Sequence, residues 1–187
     1  RGRLRTLGAL DGDDRITPRG RQIASLPMAP ALAAMVLFGA EHGAAGEAAR
    51  LALLLQERGL GGRGEDLAAR LGRWQADRSP RALASRKLAD GWAKRAEKLV
   101  EKENGETPPP AILLAMALPD NIARRRDASG EHWLSAGGRG YLLDPASPLA
   151  GSEWLVIGDA QGQAKGARIM AGAALDAVVH VVRRPGG

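Results

Sequence analysis

Three consecutive prolines divide this chain into two parts with different sequence patterns. The segment Asn104-Gly105-Glu106-Thr107-Pro108-Pro109-Pro110 cannot continue a helix, because proline lacks a backbone N–H and fixes φ, and it favours an extended spacer. Apolar residues recur at helical spacing before this segment, whereas short apolar runs alternate with turn residues after it. We therefore predict a linker at residues 105–110 between a helical part and a strand-rich part.

The helical part carries chemical signals for where helices begin and end. Thr17 and Ser79 each precede a proline, so each can cap a helix N-terminus with its hydroxyl while the proline occupies the first helical position. Gly43 and Gly59 follow apolar periodic segments and mark helix ends. The longest helix is predicted over residues 80–103. Its buried side is predicted to hold Leu83, Leu88, Trp92 and Leu99, and its other face to hold Arg81, Arg86, Lys87, Lys94, Arg95, Lys98 and Lys102.

The strand-rich part predicts a small barrel. A short apolar helix over residues 111–118 ends at Pro119. Five strands are predicted over residues 122–126, 132–135, 140–143, 153–158 and 167–172, separated by Gly, Pro, Ser and Asp clusters. Five short strands in so few residues are typical of an oligonucleotide-binding (OB) barrel. The expected fold class is therefore α+β, a helical bundle followed by a five-stranded OB-type barrel.

Length and composition exclude several classes of protein. The chain has 187 residues and no cysteine, which excludes disulfide scaffolds and thiolate metal sites and fits a reducing compartment. Its longest uncharged apolar stretch, residues 29–40, is shorter than the roughly 20 residues of a membrane span. The first residues of the sequence do not resemble a signal peptide. We expect a cytoplasmic protein, and a piece of a longer one.

Positive charge is concentrated in the first part of the chain. The net charge is +6; residues 1–105 hold 19 Lys and Arg against 13 acidic residues, and residues 106–187 hold eight of each. A basic half beside a neutral half favours a polyanionic partner, most commonly nucleic acid. An arginine-rich proteome would explain the same numbers, so charge alone leaves both interpretations open.

Catalytic motifs are missing from the sequence. No G-x-x-x-x-G-K-[ST] loop is present, and the three histidines show no metal-ligand spacing. Residues 59–64, Gly-Leu-Gly-Gly-Arg-Gly, match the dinucleotide pattern G-x-G-x-x-G, but they follow a predicted helix rather than a strand. We interpret them as an interhelical loop in which Arg63 could touch a phosphate. No catalytic, cofactor-binding or metal-binding residue is predicted.

Arg124-Arg125-Arg126 is the sharpest candidate for phosphate contact. In a strand Arg124 and Arg126 share one face, so their guanidinium groups could hold neighbouring phosphates, while Arg125 points the other way. The alternative is an edge strand that charge protects from aggregation. The aromatic residues of this region, Trp133, Tyr141 and Trp154, are expected to pack inside a small core, so binding would be mainly electrostatic.

Several stretches taken in order resemble a known family. They are Leu7-Gly8-Ala9-Leu10-Asp11, Ile16-Thr17-Pro18-Arg19-Gly20-Arg21, Leu26-Pro27-Met28-Ala29-Pro30 and Leu118-Pro119-Asp120-Asn121-Ile122-Ala123-Arg124-Arg125-Arg126. The series resembles the C-terminal accessory region of DEAH-box helicases, in particular the bacterial HrpB type. The sequence departs from the family pattern at Arg19, Ala31 and Asn121.

The resemblance implies an architecture and a role. Residues 1–26 would end a winged-helix domain, residues 27–104 would form a helical ratchet-like domain, and residues 111–187 an OB-type barrel. The resemblance implies that these domains dock on the motor lobes of the same helicase and line the channel for single-stranded nucleic acid, with RNA as the expected strand. ATP and Mg²⁺ would be used by the motor lobes, so no enzyme activity is expected from this chain alone. The candidate nucleic-acid contacts are Arg124, Arg126, Arg139 and Arg168 in the barrel, and Arg86, Lys87 and Arg95 in the helical part.

Two other functions are compatible with the sequence. The chain could be a protein-interaction scaffold that docks motor lobes or another partner without itself binding nucleic acid. It could also be a small enzyme that uses the loop carboxylates between Asp144 and Asp159, although nothing in the sequence brings those acids together.

Overall fold

Hydroxyl caps start two of the helices, as the sequence predicts. The Thr17 side chain accepts a hydrogen bond from the Gly20 N–H (3.0 Å), and the Ser79 side chain accepts one from the Ala82 N–H (3.2 Å). In each case a proline stands at the first helical position. These bonds satisfy N–H groups that have no partner within the first turn of a helix.

A computed structural model describes residues 2–163 and 165–176 of the chain. Its helices are α1 (Gly2–Thr6), α2 (Pro18–Ala24), α3 (Pro30–Glu41), α4 (Ala45–Gln56), α5 (Leu67–Ala76), α6 (Pro80–Leu99) and α7 (Pro110–Ala117). Its strands are β1 (Ile122–Arg125), β2 (His132–Ser135), β3 (Gly140–Leu142), β4 (Trp154–Gln161) and β5 (Lys165–Ala174). Short 3-10 helices cover Pro119–Asn121 and Pro148–Gly151. The predicted fold class is confirmed: helices are followed by a closed five-stranded barrel.

Alanines, rather than leucines, form the buried face of α6. Ala82, Ala89, Ala93 and Ala96 are buried beside Trp92, whereas Leu83 and Leu88 are 51% and 50% exposed. The prediction that Leu83 and Leu88 face the core was therefore wrong. Small side chains allow α6 to pack closely against α3 and α4, and larger ones on that face would force the helices apart. Helical spacing alone does not distinguish a row of buried alanines from a row of buried leucines. The prediction assigned the larger apolar side chains to the core, whereas the smaller ones are buried.

Helix α6 ends earlier than the sequence predicts. The helix ends at Leu99, and Val100 is already extended, with φ −131° and ψ 161°. Glu103 then donates its backbone N–H to the carbonyl of Glu41 at the end of α3 (2.6 Å). The predicted end at residue 103 was therefore four residues too late, because a tertiary hydrogen bond outweighs the local helix propensity.

The strands close into a barrel in the order β1-β2-β3-β5-β4. All neighbouring pairs are antiparallel except β3 and β5, which are parallel. Trp133, Tyr141, Leu155, Ile157 and Ile169 fill the interior. This strand order and the small, filled interior agree with the OB-type barrel that the sequence predicts.

A second apolar cluster joins the helices to the outside of the barrel. Leu113 and Leu114 of α7 are fully buried, and they pack in one cluster with residues of α3 and α4 and with Val156 and Ala171 of the barrel strands. Asn121 adds a polar link, since its side-chain amide donates to the Ile157 carbonyl (2.8 Å). The barrel is thus held against the helices by packing and not only by the chain connection. The division of the chain into domains at residues 26 and 105–110 stays a prediction.

None of the helices in the described residues combines the length and apolar character that crossing a membrane requires.

Candidate nucleic-acid interface

Side chains alternate in and out along β1, as the arginine triplet predicts. Ala123 is fully buried, Arg124 is exposed, and Arg125 is half-buried with its guanidinium donating to the Ala150 carbonyl (3.4 Å). Arg126, directly after the strand, is exposed again. The closed barrel leaves β1 paired on both sides, with β2 and β4. Protection of an unpaired strand edge therefore does not explain these charges.

The barrel register places Arg126 and Arg168 in one transverse row on the outer surface. The Arg126 N–H donates to the His132 carbonyl (2.8 Å), His132 pairs with Leu142, and Leu142 pairs with Arg168. We call these four residues the arginine row. Arg126, His132 and Arg168 are exposed and Leu142 is half-buried. Three strand spacings, about 14 Å along the wall, separate the two arginines. In a closed five-stranded barrel this is more than half of the circumference, so Arg126 and Arg168 lie on different sides of the barrel.

Arg124 lies in the adjacent row and is already engaged. It pairs across the strands with Leu134 and Trp154. Its guanidinium lies 3.1 Å from a Glu153 carboxylate oxygen and 5.3 Å from the centre of the Trp154 ring. Both side chains of the ion pair are about half-exposed, so this pair contributes little to stability and can be exchanged for a phosphate at low cost.

Arg139 is held over an aromatic ring. Its guanidinium lies 5.2 Å from the centre of the Tyr141 ring, while its backbone N–H donates to the Ser135 hydroxyl (3.1 Å). The Arg139 residue is exposed, and no ion pair in the described part of the chain neutralises it. The cation–π contact holds the charge at the end of β3 without cancelling it.

The aromatic side chains of the barrel are not available as stacking platforms. Trp133 is fully buried and donates its indole N–H to the Gly130 carbonyl (2.7 Å), and Tyr141 is 5% exposed. Trp154 is half-buried beneath Arg124. The outer surface therefore offers charge rather than base stacking, and binding there would depend strongly on salt.

Asp127 organises the loop between β1 and β2, next to the arginine row. One carboxylate oxygen accepts from the Gly130 and Glu131 N–H groups (3.0 and 3.2 Å) and from the Ser129 hydroxyl (2.9 Å), and the other lies 2.5 Å from Nδ1 of His132. These hydrogen bonds, that of His132 foremost, lower the pKa of Asp127 from 3.8 to about 2. A lowered pKa means that the folded state favours the charged carboxylate.

Replacing Asp127 with asparagine is expected to lower the thermal midpoint at neutral pH. Because the carboxylate pKa is lower in the folded state than in the unfolded chain, its contribution to stability is complete above about pH 4 and is lost as pH falls from 3.8 towards about 2. Thermal melts of the wild type and Asp127→Asn should therefore differ at neutral pH and converge in strong acid. Asp13→Asn, at an exposed carboxylate, is the control. A difference that persists unchanged to the lowest pH would contradict this role.

The helical candidates are less clearly placed for binding. Arg86 is half-buried, and its guanidinium donates to the Trp74 and Asp77 carbonyls (2.5 and 2.7 Å) at the end of α5. Lys87 and Arg95 are exposed. A rotation of 100° per residue puts Arg86 and Arg95 on opposite sides of α6. Arg86 is thus engaged in capping α5, and the three residues do not form one face.

The acidic residues of the loops do not form a paired carboxylate site. The Asp144 carboxylate accepts from the Ala146 N–H (2.9 Å), and the Asp159 carboxylate pairs with Arg58 at 3.3 Å. Within the described residues, no cluster of three or more His, Asp and Glu side chains is arranged to hold a metal ion.

The surroundings of Arg168 are not apparent from the sequence. Arg58, Arg63 and Arg70 lie with Arg168 around a cleft between residues 59–64 and the barrel. Of the three arginines around Arg168, the sequence indicates only Arg63 as a possible phosphate contact. The signal was present, since arginines flank and interrupt the glycine-rich segment, but only the fold brings that segment next to β5.

Comparison with known proteins connects this arrangement to a family. Residues 3–28 match the winged-helix model of the helicase-associated domain (HA2). The chain is 34% identical over 158 residues to the ATP-dependent RNA helicase HrpB of Escherichia coli K12, covering 82% of this chain and 17% of that protein.

Solved structures agree with the sequence match. The crystal structure of the E. coli DExH-box NTPase HrpB superposes with a TM-score of 0.75 and 33% identity, over 98% of this chain and 22% of that one. The crystal structure of the E. coli DEAH/RHA helicase HrpB gives a TM-score of 0.73 and 30% identity, over 100% and 22%. The chain thus spans about a fifth of the relatives that it matches. Agreement in sequence and fold over nearly its whole length identifies it as a relative of the C-terminal accessory region of HrpB-type helicases.

Proposed function

We propose that this chain binds single-stranded nucleic acid, preferentially RNA, as the accessory part of an HrpB-type ATP-dependent helicase. The observation that carries the proposal is the arginine row, which sets the exposed Arg126 and Arg168 around the outer wall of the barrel. Guanidinium groups bind phosphate oxygens through paired N–H donors, and an OB-type barrel uses the surface around β2 and β3 to bind oligonucleotides. Arg124, in the adjacent row, adds to this positive charge. Arg139 contributes a separate charge beside the first residue of β3, over the Tyr141 ring.

The chain would contribute binding and positioning, not chemistry. ATP and Mg²⁺ would act in the motor lobes of the parent helicase, because this sequence holds no phosphate-binding loop of the Walker type. The barrel would hold the strand by its phosphates while the motor lobes move along it. Since phosphate contacts carry no sequence information, we expect little sequence preference.

The same region would also dock on the motor lobes. Leu83 and Leu88 of α6 are both about half-exposed, as is Met116 of α7. A contiguous apolar patch favours a protein contact, whereas single exposed apolar side chains are common on protein surfaces. The second candidate function is a docking scaffold whose positive charge is incidental.

Anisotropy titration with labelled single-stranded RNA and DNA separates the two functions. The Arg124→Ala/Arg126→Ala variant is expected to bind RNA more weakly at 50 mM salt, and the slope of log affinity against log salt should fall by about 1.4, which corresponds to two lost phosphate contacts. Arg15→Ala/Arg21→Ala removes the same charge from exposed positions outside the barrel and is the control. Equal slopes for both variants would contradict the assignment of these arginines, and no binding by the wild type at low salt would favour the docking scaffold.

A further inference from the structure

The cleft beside Arg168 has two walls that backbone hydrogen bonding connects. One wall is the glycine loop, residues 59–64 between α4 and α5, and the other is formed by β4 and β5. Just beyond the loop, the Glu65 carbonyl accepts from the Gly172 N–H of β5 (2.8 Å), and Asp66 forms a parallel bridge with Gly172. Arg58 closes one end through its ion pair with Asp159. The cleft, with a volume of ≈ 640 Å³, is therefore built into the fold.

Two arginines of α5 fix the glycine loop by its carbonyl groups. Arg70 donates to the Leu60 carbonyl (3.2 Å), and Arg73 donates to the Gly61 and Arg63 carbonyls (2.6 and 2.8 Å). Gly59, Gly61, Gly62 and Gly64 all have positive φ. The carbonyl groups are thus engaged, whereas the backbone N–H groups of Arg63 and Gly64 have no acceptor within residues 2–163 and 165–176. Consecutive free N–H groups in such a loop are suited to an anion.

The charge of the cleft is also suited to an anion. Four arginines and two acidic residues line it, which gives a net charge of +2. Arg58 is paired with Asp159, and Arg70 is engaged by the loop and by the Leu54 carbonyl (3.3 Å). Arg63 and Arg168 are exposed, and neither guanidinium has a hydrogen bond or ion pair in the described part of the chain. Two free guanidinium groups therefore line the cleft from its opposite walls.

We infer that this cleft binds a phosphate group of a nucleic-acid strand that contacts the arginine row at Arg168, through Arg63, Arg168 and the N–H groups of the glycine loop. The inference rests on the proposed function, because Arg168 belongs to both surfaces. It adds a contact from the helical part of the chain, so that the strand would touch the barrel and the glycine loop at once. The cleft would bind and not hydrolyse, since the loop contains neither lysine nor a hydroxyl residue.

Two-dimensional ¹H–¹⁵N NMR of the full chain tests the inference at the residues concerned. The probes are uridine monophosphate and an oligouridylate of about ten nucleotides, within the size range of OB-fold sites. The oligouridylate is expected to shift the amide signals of Arg63 and Gly64. Arg63→Ala should abolish those shifts, weaken the oligonucleotide affinity about threefold to tenfold, and lower the salt slope by about 0.7. Arg21→Ala, at an exposed arginine of α2, should change none of these.

The outcomes distinguish this inference from the proposed function. The phosphate site is supported if the oligonucleotide changes the chemical shifts of the loop amides in the wild type but not in Arg63→Ala. Shifts at Arg126 and His132 without loop shifts would overturn the site and leave the proposed function intact. Loop shifts with the mononucleotide alone would support phosphate recognition but overturn its assignment to a strand. No shifts with either probe would overturn both.

Discussion

Trp133→Ala is expected to lower the free energy of unfolding by about 3–5 kcal/mol. Trp133 is fully buried at the centre of the barrel, and its indole N–H donates to the Gly130 carbonyl. Removing the ring leaves a cavity that the short surrounding strands cannot fill, and it leaves that carbonyl without its partner. Urea denaturation followed by far-ultraviolet circular dichroism measures the loss, since this signal comes mainly from the backbone.

Trp133→Phe is the matched comparison for this prediction. It keeps most of the apolar volume and removes the hydrogen bond, so it should cost clearly less than the alanine variant. If both variants unfolded at the same urea concentration as the wild type, Trp133 would not be the centre of the barrel core. Weakened RNA binding by Trp133→Ala would show only that the barrel surface needs a folded interior.

Gly61→Ala is expected to destabilise the chain by about 2–5 kcal/mol, which combines the cost of a left-handed residue with that of overpacking. Gly61 has φ +72°, and a Cβ there would lie 2.2 Å from the Arg70 carbonyl oxygen. The clash is with the backbone of α5 rather than with a flexible side chain, so relieving it requires a backbone shift. The glycine loop would have to shift, so the NMR signals of Arg63 and Gly64 should move even without ligand.

Gly62→Ala separates the two parts of that cost. Gly62 has φ +80°, but a Cβ there meets only the flexible Arg73 side chain, at 3.4 Å from Nε. Its expected cost is therefore about 1–2 kcal/mol, from backbone conformation alone. Thermal melts of the two variants should differ accordingly. Equal midpoints would mean that the close approach of the loop to α5 contributes nothing to stability.

Local chemistry made much of the fold predictable. The hydroxyl caps at Thr17 and Ser79, the proline triplet and the turn clusters each act through neighbouring residues, so they are visible in the sequence. Alternation along β1 likewise indicates which arginines point outward, whatever the strand pairs with. The misplaced residues, Leu83 and Leu88, lie where packing against other helices outweighs the local pattern.

The candidate site was predictable only in its parts. Arg126 and Arg168 could be named as exposed basic residues, but their shared row depends on a parallel pairing of β3 with β5 that joins distant segments. Arg86 illustrates the opposite error, since a basic residue on a predicted outer face turns out to cap a neighbouring helix. Charge is a property of the residue, whereas the availability of that charge depends on what the fold places beside it.

The sequence by itself determined the order of elements, the change from helices to strands and the identity of the basic residues, because caps, prolines and periodicity act over a few neighbouring positions. The glycine-rich segment follows a helix, so the sequence gives it no role as a dinucleotide motif. Only the tertiary structure decided that this segment lies against β5 and shares a cleft with Arg168. That contact depends on hydrogen bonds and packing between segments about a hundred residues apart, such as the ion pair of Arg58 with Asp159. No local pattern encodes such a contact, because its free energy is gained only once both elements are folded.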